Sequence, residues 1–201
     1  MKNCASVSIY ESLRHCKGET TLPGLRNKAY AIAKDDVVKF PSLPSPDSEN
    51  ATMASIATYV GNFTLAADKK FIIVDLIDTA SNLVSNPQGE KPSKTFLNTA
   101  TLKYAGNNEK AAGFARMANA EDFIFIVQQR DGKYRVIGSE AFESNTDVAQ
   151  DSGMAVTDAS GTTITVSCTD MLPAPYYIGK IPTEEGVIDC STGEIAAEAG
   201  D

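Results

Sequence analysis

The chain has 201 residues, 42% hydrophobic and 22% charged, the proportions of an ordinary globular protein, which exclude wholesale disorder and fibrous repeats. Its formal net charge of −8 opposes tight binding to nucleic-acid phosphates and to anionic lipid. Residues 1–10 lack a signal-peptide core and no apolar run reaches the length of a membrane span, so a single domain made in the cytoplasm, without membrane contact, is expected.

Residues 1–26 carry turn formers and mixed polarity, punctuated by Gly18, Pro23 and Gly24, and read as an irregular N-terminal arm. A short strand is predicted over 27–33. Three prolines, Pro41, Pro44 and Pro46, then remove backbone donors and make a stiff exposed connector. Two apolar stretches, 56–65 and 71–77, predict a hairpin. Residues 79–94, with Asn82, Asn86, Pro87, Gly89 and Pro92, read as a long loop.

Residues 95–104 alternate, with Phe96, Ala100, Leu102 and Tyr104 on one side and Thr95, Thr99, Thr101 and Lys103 on the other, which predicts a half-buried strand. A helix over about 108–119 follows, capped by Asn107 or Asn108, with Ala111, Phe114, Ala115 and Ala118 as its apolar stripe. The run 123–127, Phe-Ile-Phe-Ile-Val, is apolar on both faces and leads through Asp131-Gly132 into Tyr-Arg-Val-Ile. Asp-Gly supplies the positive dihedrals of a tight hairpin, so a central strand is predicted, covered by the helix on one face and a sheet on the other.

A polar stretch, 144–160, precedes the alternating run 161–169. There Ile164, Val166 and Cys168 point inward, while Thr163, Thr165, Ser167 and Thr169 form an uncharged polar face. Pro173 and Pro175 end that strand, and 176–178 is predicted as a short edge segment. The expected architecture is mainly β, a β-sandwich or β-barrel with one flanking α-helix and long loops and arms: a β core over 27–180 and a C-terminal segment over 181–201.

Residues that carry chemistry are few. His15 is the one histidine, and Ser12 and Cys16 lie too close to it along the chain to build a nucleophile–base pair. Cys4, Cys16, Cys168 and Cys190 have no Cys-x-x-Cys spacing and read as free thiols. A zinc site from Cys4, His15, Cys16 and Cys190 would need both chain ends to meet. Asp75 and Asp78 end an apolar strand, where two carboxylates are able to bind metal or act as acid and base. With no histidine or third carboxylate in register, a strand-terminal pair is the simpler reading, and Asp35-Asp36 reads as a solvated turn. Phosphate-binding glycine patterns are absent. The sequons at Asn50 and Asn62 have no secretory context. The sequence therefore predicts a non-enzymatic protein with no catalytic, cofactor-binding or metal residue.

The order of parts, an arm, a hairpin, a long loop, one helix, the Asp131-Gly132 hairpin and a late alternating strand, resembles the bacteriophage tail-tube (major tail) proteins. Leu22-Pro-Gly-Leu-Arg26 with Ala29-Tyr-Ala-Ile-Ala-Lys-Asp-Asp36, Asp131-Gly-Lys-Tyr-Arg-Val-Ile-Gly138, Gly161-Thr-Thr-Ile-Thr-Val166 and Pro173-Ala-Pro-Tyr-Tyr177 are similar to structural tail proteins of phages and prophages of gut Bacteroidetes. The resemblance covers residues 20–180. It implies a subunit of stacked rings, commonly hexameric, whose joined sheets line a channel, as in the related inner tubes of contractile injection systems. It also implies a virion tail location, contacts through arms and loops to its own copies and to other tail proteins, and DNA that passes without being gripped. The alternatives are a capsid decoration or neck subunit, a sandwich module that binds a glycan or small ligand through Tyr176 and Tyr177, and a small hydrolase or lyase using Asp75 or Asp78.

Overall fold

The computed structural model describes residues 9–155, 157–158 and 160–196. Fifteen strands and one α-helix follow one another among them: β1 (Leu25–Ala33), β2 (Val37–Lys39), β3 (Thr58–Tyr59), β4 (Thr64–Leu65), β5 (Ile72–Asp75), β6 (Asn82–Gln88), β7 (Thr95–Tyr104), α1 (Glu109–Ala118), β8 (Phe123–Gln129), β9 (Tyr134–Ile137), β10 (Ser144–Asp151), β11 (Gly161–Asp170), β12 (Tyr176–Tyr177), β13 (Lys180–Thr183), β14 (Gly186–Asp189) and β15 (Ile195–Ala196). The protein is mainly β.

β8 organises the layers. Successive side chains of a strand point to opposite faces, and all five apolar residues of 123–127 are buried. Phe123, Phe125 and Val127 join Ala29, Ala31 and Ile137 in a core shared with Ala100, Leu102, Ile164, Val166 and Cys168. Ile124 and Ile126 join Tyr30, Ile32, Tyr134 and Val136 in a second core, closed by Phe40, Phe63, Phe71, Tyr177, Ile181 and Ile188. The six-stranded sheet β3-β12-β9-β8-β1-β5 is thus a middle layer. The four-stranded sheet β10-β11-β7-β6 packs on one face as a β-sandwich. Segments from 40–71 and the small sheet β13-β14-β15 cover the other.

The sequence placed the helix over one face of β8. Instead, α1 packs against β10, its Phe114 ring edge-on to Phe123 with centroids 5.2 Å apart. Its start agrees with the sequence reading: the Asn108 side chain accepts from the Ala111 amide at 3.0 Å. The β8–β9 hairpin also forms as read, with Gly132 at φ +94° in its turn.

Several long-range expectations are corrected. Residues 56–65 and 71–77 do not form a hairpin. β3 pairs in parallel with β12, β4 pairs with β2, and β5 pairs with β1. Gly61, at φ +93°, breaks the first run, and Tyr59 and Phe63 are both buried in the second core. The expected loop 79–94 contains β6, hydrogen-bonded along β7 from Asn82↔Thr101 to Gln88↔Thr95. Pro87 has no donor, and an edge strand is where a sheet tolerates it. The polar stretch after 144 is mostly β10, whose inward Ser144 and Thr146 are buried without being apolar.

β12 lies between β3 and β9, not at an edge. The first strand begins at Leu25, and core packing continues past residue 180 through Ile181 and Ile188.

Candidate functional site

The candidates singled out by chemistry are dispersed. Asp75 is exposed at the end of β5. Asp78 pairs with Arg130 at 3.0 Å, the two side chains 46% and 39% exposed, a surface ion pair of the kind worth about 0–1 kcal/mol. Asp35 is exposed, and Asp36 pairs with Lys69 at 3.0 Å. His15 and Cys16 are exposed in the arm, Cys190 is buried, and Cys4 lies outside the described residues. No three His, Cys, Asp or Glu side chains among the described residues stand close enough to hold a metal ion. Burial pushes the Cys168 thiol up to about 11 and the Cys190 thiol higher still. Neither is a ready nucleophile.

Tyr177 is not an exposed platform. At 1% exposure it is a strut: its hydroxyl donates to the Lys180 carbonyl at 2.9 Å and accepts from the Phe63 amide. Tyr176 is half-buried, with the Arg135 guanidinium 4.3 Å from its ring centroid and the Lys133 ammonium at 5.7 Å. Asn62 caps the same region by accepting from the Lys180 amide at 2.8 Å.

The outward face of the four-stranded sheet is an ordered array of mostly polar side chains. Register sets the rows. Asp147, Thr165, Thr101 and Asn82 lie side by side across it, as do Asn145, Ser167, Thr99 and Val84. The neighbouring positions on β11 are Thr163 and Thr169. Sheet geometry spaces these groups about 4.8 Å across strands and about 6.7 Å along them. Gln88 ties one end together, its amide donating to Thr95 Oγ1 and Thr169 Oγ1. Formal charge is confined to the margins, at Asp147, Asp151 and Lys103. Each six-stranded face is covered, whereas this face carries no packed layer among the described residues. β6 and β10 each have one strand neighbour in the sheet, and α1 packs beside β10.

A cleft of about 920 Å³ opens elsewhere, between the arm, the 53–58 segment, the β8–β9 turn and residues 191–193. Tyr134 and Cys190 form its floor, while Arg26, Asp131 and Lys133 stand on its rim with Met53 and Ile178. Burial raises the Tyr134 hydroxyl to about 12. A shallower pocket of about 450 Å³ gathers Asp35, Asp122, Glu140 and Glu143 around Lys34, whose ammonium donates to the Phe142 carbonyl at 2.9 Å. Local sequence could not reveal either, because five or more separate segments line the cleft. The edge strands β6 and β10 were missed for a different reason: buried Ser, Thr and half-buried Leu83 weaken their alternation.

Asp170, at the end of β11, is 4% exposed. One carboxylate oxygen accepts from the Met171 amide at 2.6 Å, and Oδ2 has no partner among the described residues. Burial raises its pKa above the ordinary 3.8. A raised carboxyl pKa means that the folded form holds the proton more tightly. Its contribution to stability is full below the unfolded pKa and is lost as pH rises through the folded one. Asp170→Asn is expected to remove this loss, so chemical denaturation from pH 3.5 upward should show a flatter stability profile than wild type. An unchanged profile would contradict the assignment.

No helix among the described residues is long and apolar enough to cross a membrane, which says nothing of a β-barrel. Comparison with protein-family models, with curated proteins and with solved structures finds no match to this chain.

Proposed function

We propose that the protein is a virion structural subunit that assembles with its own copies into rings, stacked as a tail tube, in the manner of the phage proteins its sequence resembles. One observation carries this reading: a four-stranded sheet with one face on the core, the other an uncovered and almost uncharged hydroxyl surface, and two outer strands, β6 and β10, with a single strand neighbour each. An open edge is a template for another strand. All three pairings within the sheet are antiparallel, so its outer strands, β10 and β6, run in opposite directions. Head-to-tail repetition about a rotation axis then sets β6 of one copy antiparallel to β10 of the next. Closure of the ring, hexameric in this reading, removes every free edge of that sheet. Hydroxyls turned to a channel stay solvated and present no cation to hold phosphates, and the chain's net charge of −8 keeps DNA mobile. Its partners are its own copies, other tail proteins and transiting DNA. It has no enzymatic role.

The test is electron microscopy of concentrated protein combined with labelling of Thr165→Cys, in a Cys4→Ser and Cys16→Ser background, by a maleimide on a carrier too wide to enter a channel of DNA width. Rings or tubes are expected, with label accepted by free subunits and refused after assembly. A protein that sediments as a monomer at high concentration, absent from any particle, would sink the proposal. A second reading, a sandwich module for a glycan or small ligand, draws support from Tyr176 on the cleft lining. A glycan array separates the two.

A further inference from the structure

The N-terminal arm is scarcely held by its own chain. Between Ile9 and Pro23, the one hydrogen bond to the rest of the described residues runs from the Glu11 amide to Met53 Sδ, at 3.0 Å. Tyr10 and Leu13 are 87% and 88% exposed and Leu22 54%, so of the arm's large apolar residues only Ile9 is even half-buried. Ordering a segment costs conformational entropy that only burial or pairing offsets, and here half-buried Ile9 and the one Glu11 bond offset little of it. Yet the arm is laid on the rim of the 920 Å³ cleft, which Glu11 and Leu13 line together with Met53 and the 50% exposed Ile178. Its joints are Gly18 and Gly24, both at φ +95°. Gly18 has open space around it, and Gly24 is pinned by its carbonyl accepting from the Arg130 amide at 3.2 Å. The charges also match in kind: Glu11 and Arg14 flank Leu13, and the cleft rim carries Lys133 and Asp131, which face each other only loosely at 3.9 Å.

We infer that this cleft is the docking site for residues 9–17 of a second copy of the chain, with Leu13 as the apolar anchor. The arm pivots at Gly18, beyond the pinned Gly24, and leaves its own rim for the neighbour's, an exchange in which the segment and its receptor are already matched. In the neighbour, the arm enters without the constraint of its own tether at Gly24, so Leu13 reaches the apolar lining by Ile178. The inference rests on the self-assembly proposed above and adds a second contact, separate from the sheet edges.

Two proteins test it, both with Cys4→Ser and Cys16→Ser, one carrying Leu13→Cys and the other Ile178→Cys. They are mixed, mildly oxidised, and analysed on a non-reducing gel with mass spectrometry of the linked peptides. A covalent mixed dimer joined between positions 13 and 178 is expected, and it should be lost when Arg14→Glu is added beside the Leu13→Cys change. Absence of the mixed dimer overturns the exchange, including the case in which a control protein carrying both Leu13→Cys and Ile178→Cys closes the link within one chain. Microscopy of the same samples keeps the two proposals apart. Tubes without the link retain the tube and remove the exchange, whereas the link in small soluble oligomers retains the exchange and removes the tube.

Discussion

Phe125→Ala is expected to lower the unfolding free energy by about 3–5 kcal/mol, and Ile126→Ala by about 2–5 kcal/mol. Both side chains are fully buried. What makes the pair informative is that they are adjacent in sequence yet belong to different cores. Phe125 fills the space between the two sheets of the sandwich, and Ile126 faces Phe71, Tyr177 and Ile181 on the far side of the middle layer. In a two-layer sandwich, one of two neighbouring strand residues faces water and its truncation costs within about 0.5 kcal/mol. Denaturant titration of both variants decides the matter. A small loss at either position would contradict the three-layer arrangement.

Asn98→Asp is expected to destabilise by about 3–5 kcal/mol at neutral pH, the cost of an uncompensated buried charge. Asn98 is 1% exposed. Its amide nitrogen donates to the Leu172 carbonyl at 3.2 Å and its oxygen accepts from the Ala174 amide at 2.9 Å. An aspartate keeps the acceptor and loses the donor, leaving a carboxylate oxygen against a carbonyl. Arg135 donates to the Ala174 carbonyl from the other sheet, so the 171–175 corner, where the chain crosses between sheets, is clamped from both sides. Protonation restores an O–H donor, and the cost should shrink toward pH 4. Denaturation at the two pH values checks this, and an equal loss at both would mean that water reaches the corner.

What local sequence reveals here is where the signal is local. Asp131-Gly132 fixes a hairpin by backbone dihedral, Asn108 fixes a helix start by an unpaired amide, and alternation from Thr162 to Cys168 fixes which side of β11 is buried. Where a strand's position depends on a distant partner, the sequence is silent. Tyr176–Tyr177 carries nothing that separates an edge strand from an interior one, because its neighbours come from Thr58–Tyr59 and from β9. β10 hides its inward face behind Ser144 and Thr146: the Ser144 hydroxyl donates to the Phe123 carbonyl at 2.7 Å, and Thr146 Oγ1 is buried with no partner among the described residues. The hydroxyl row on β11 is readable as a pattern. That its face has no covering layer emerges only from the packing of every other element elsewhere.

The interleaved order of the middle sheet bears on how the protein is made. β1 leaves the ribosome early, but its neighbour β8 ends at Gln129, and β3 waits for Tyr176. At synthesis rates of roughly 5–20 residues per second, the gap between β1 and β8 corresponds to about 5–20 s of translation. During that interval the apolar strand 29–33 has only β5 to pair with. A growing chain therefore carries an incomplete sheet with a free side until the last third of the polypeptide is out. Slowed translation, or truncation before residue 123, should expose that strand to chaperones and to other nascent chains.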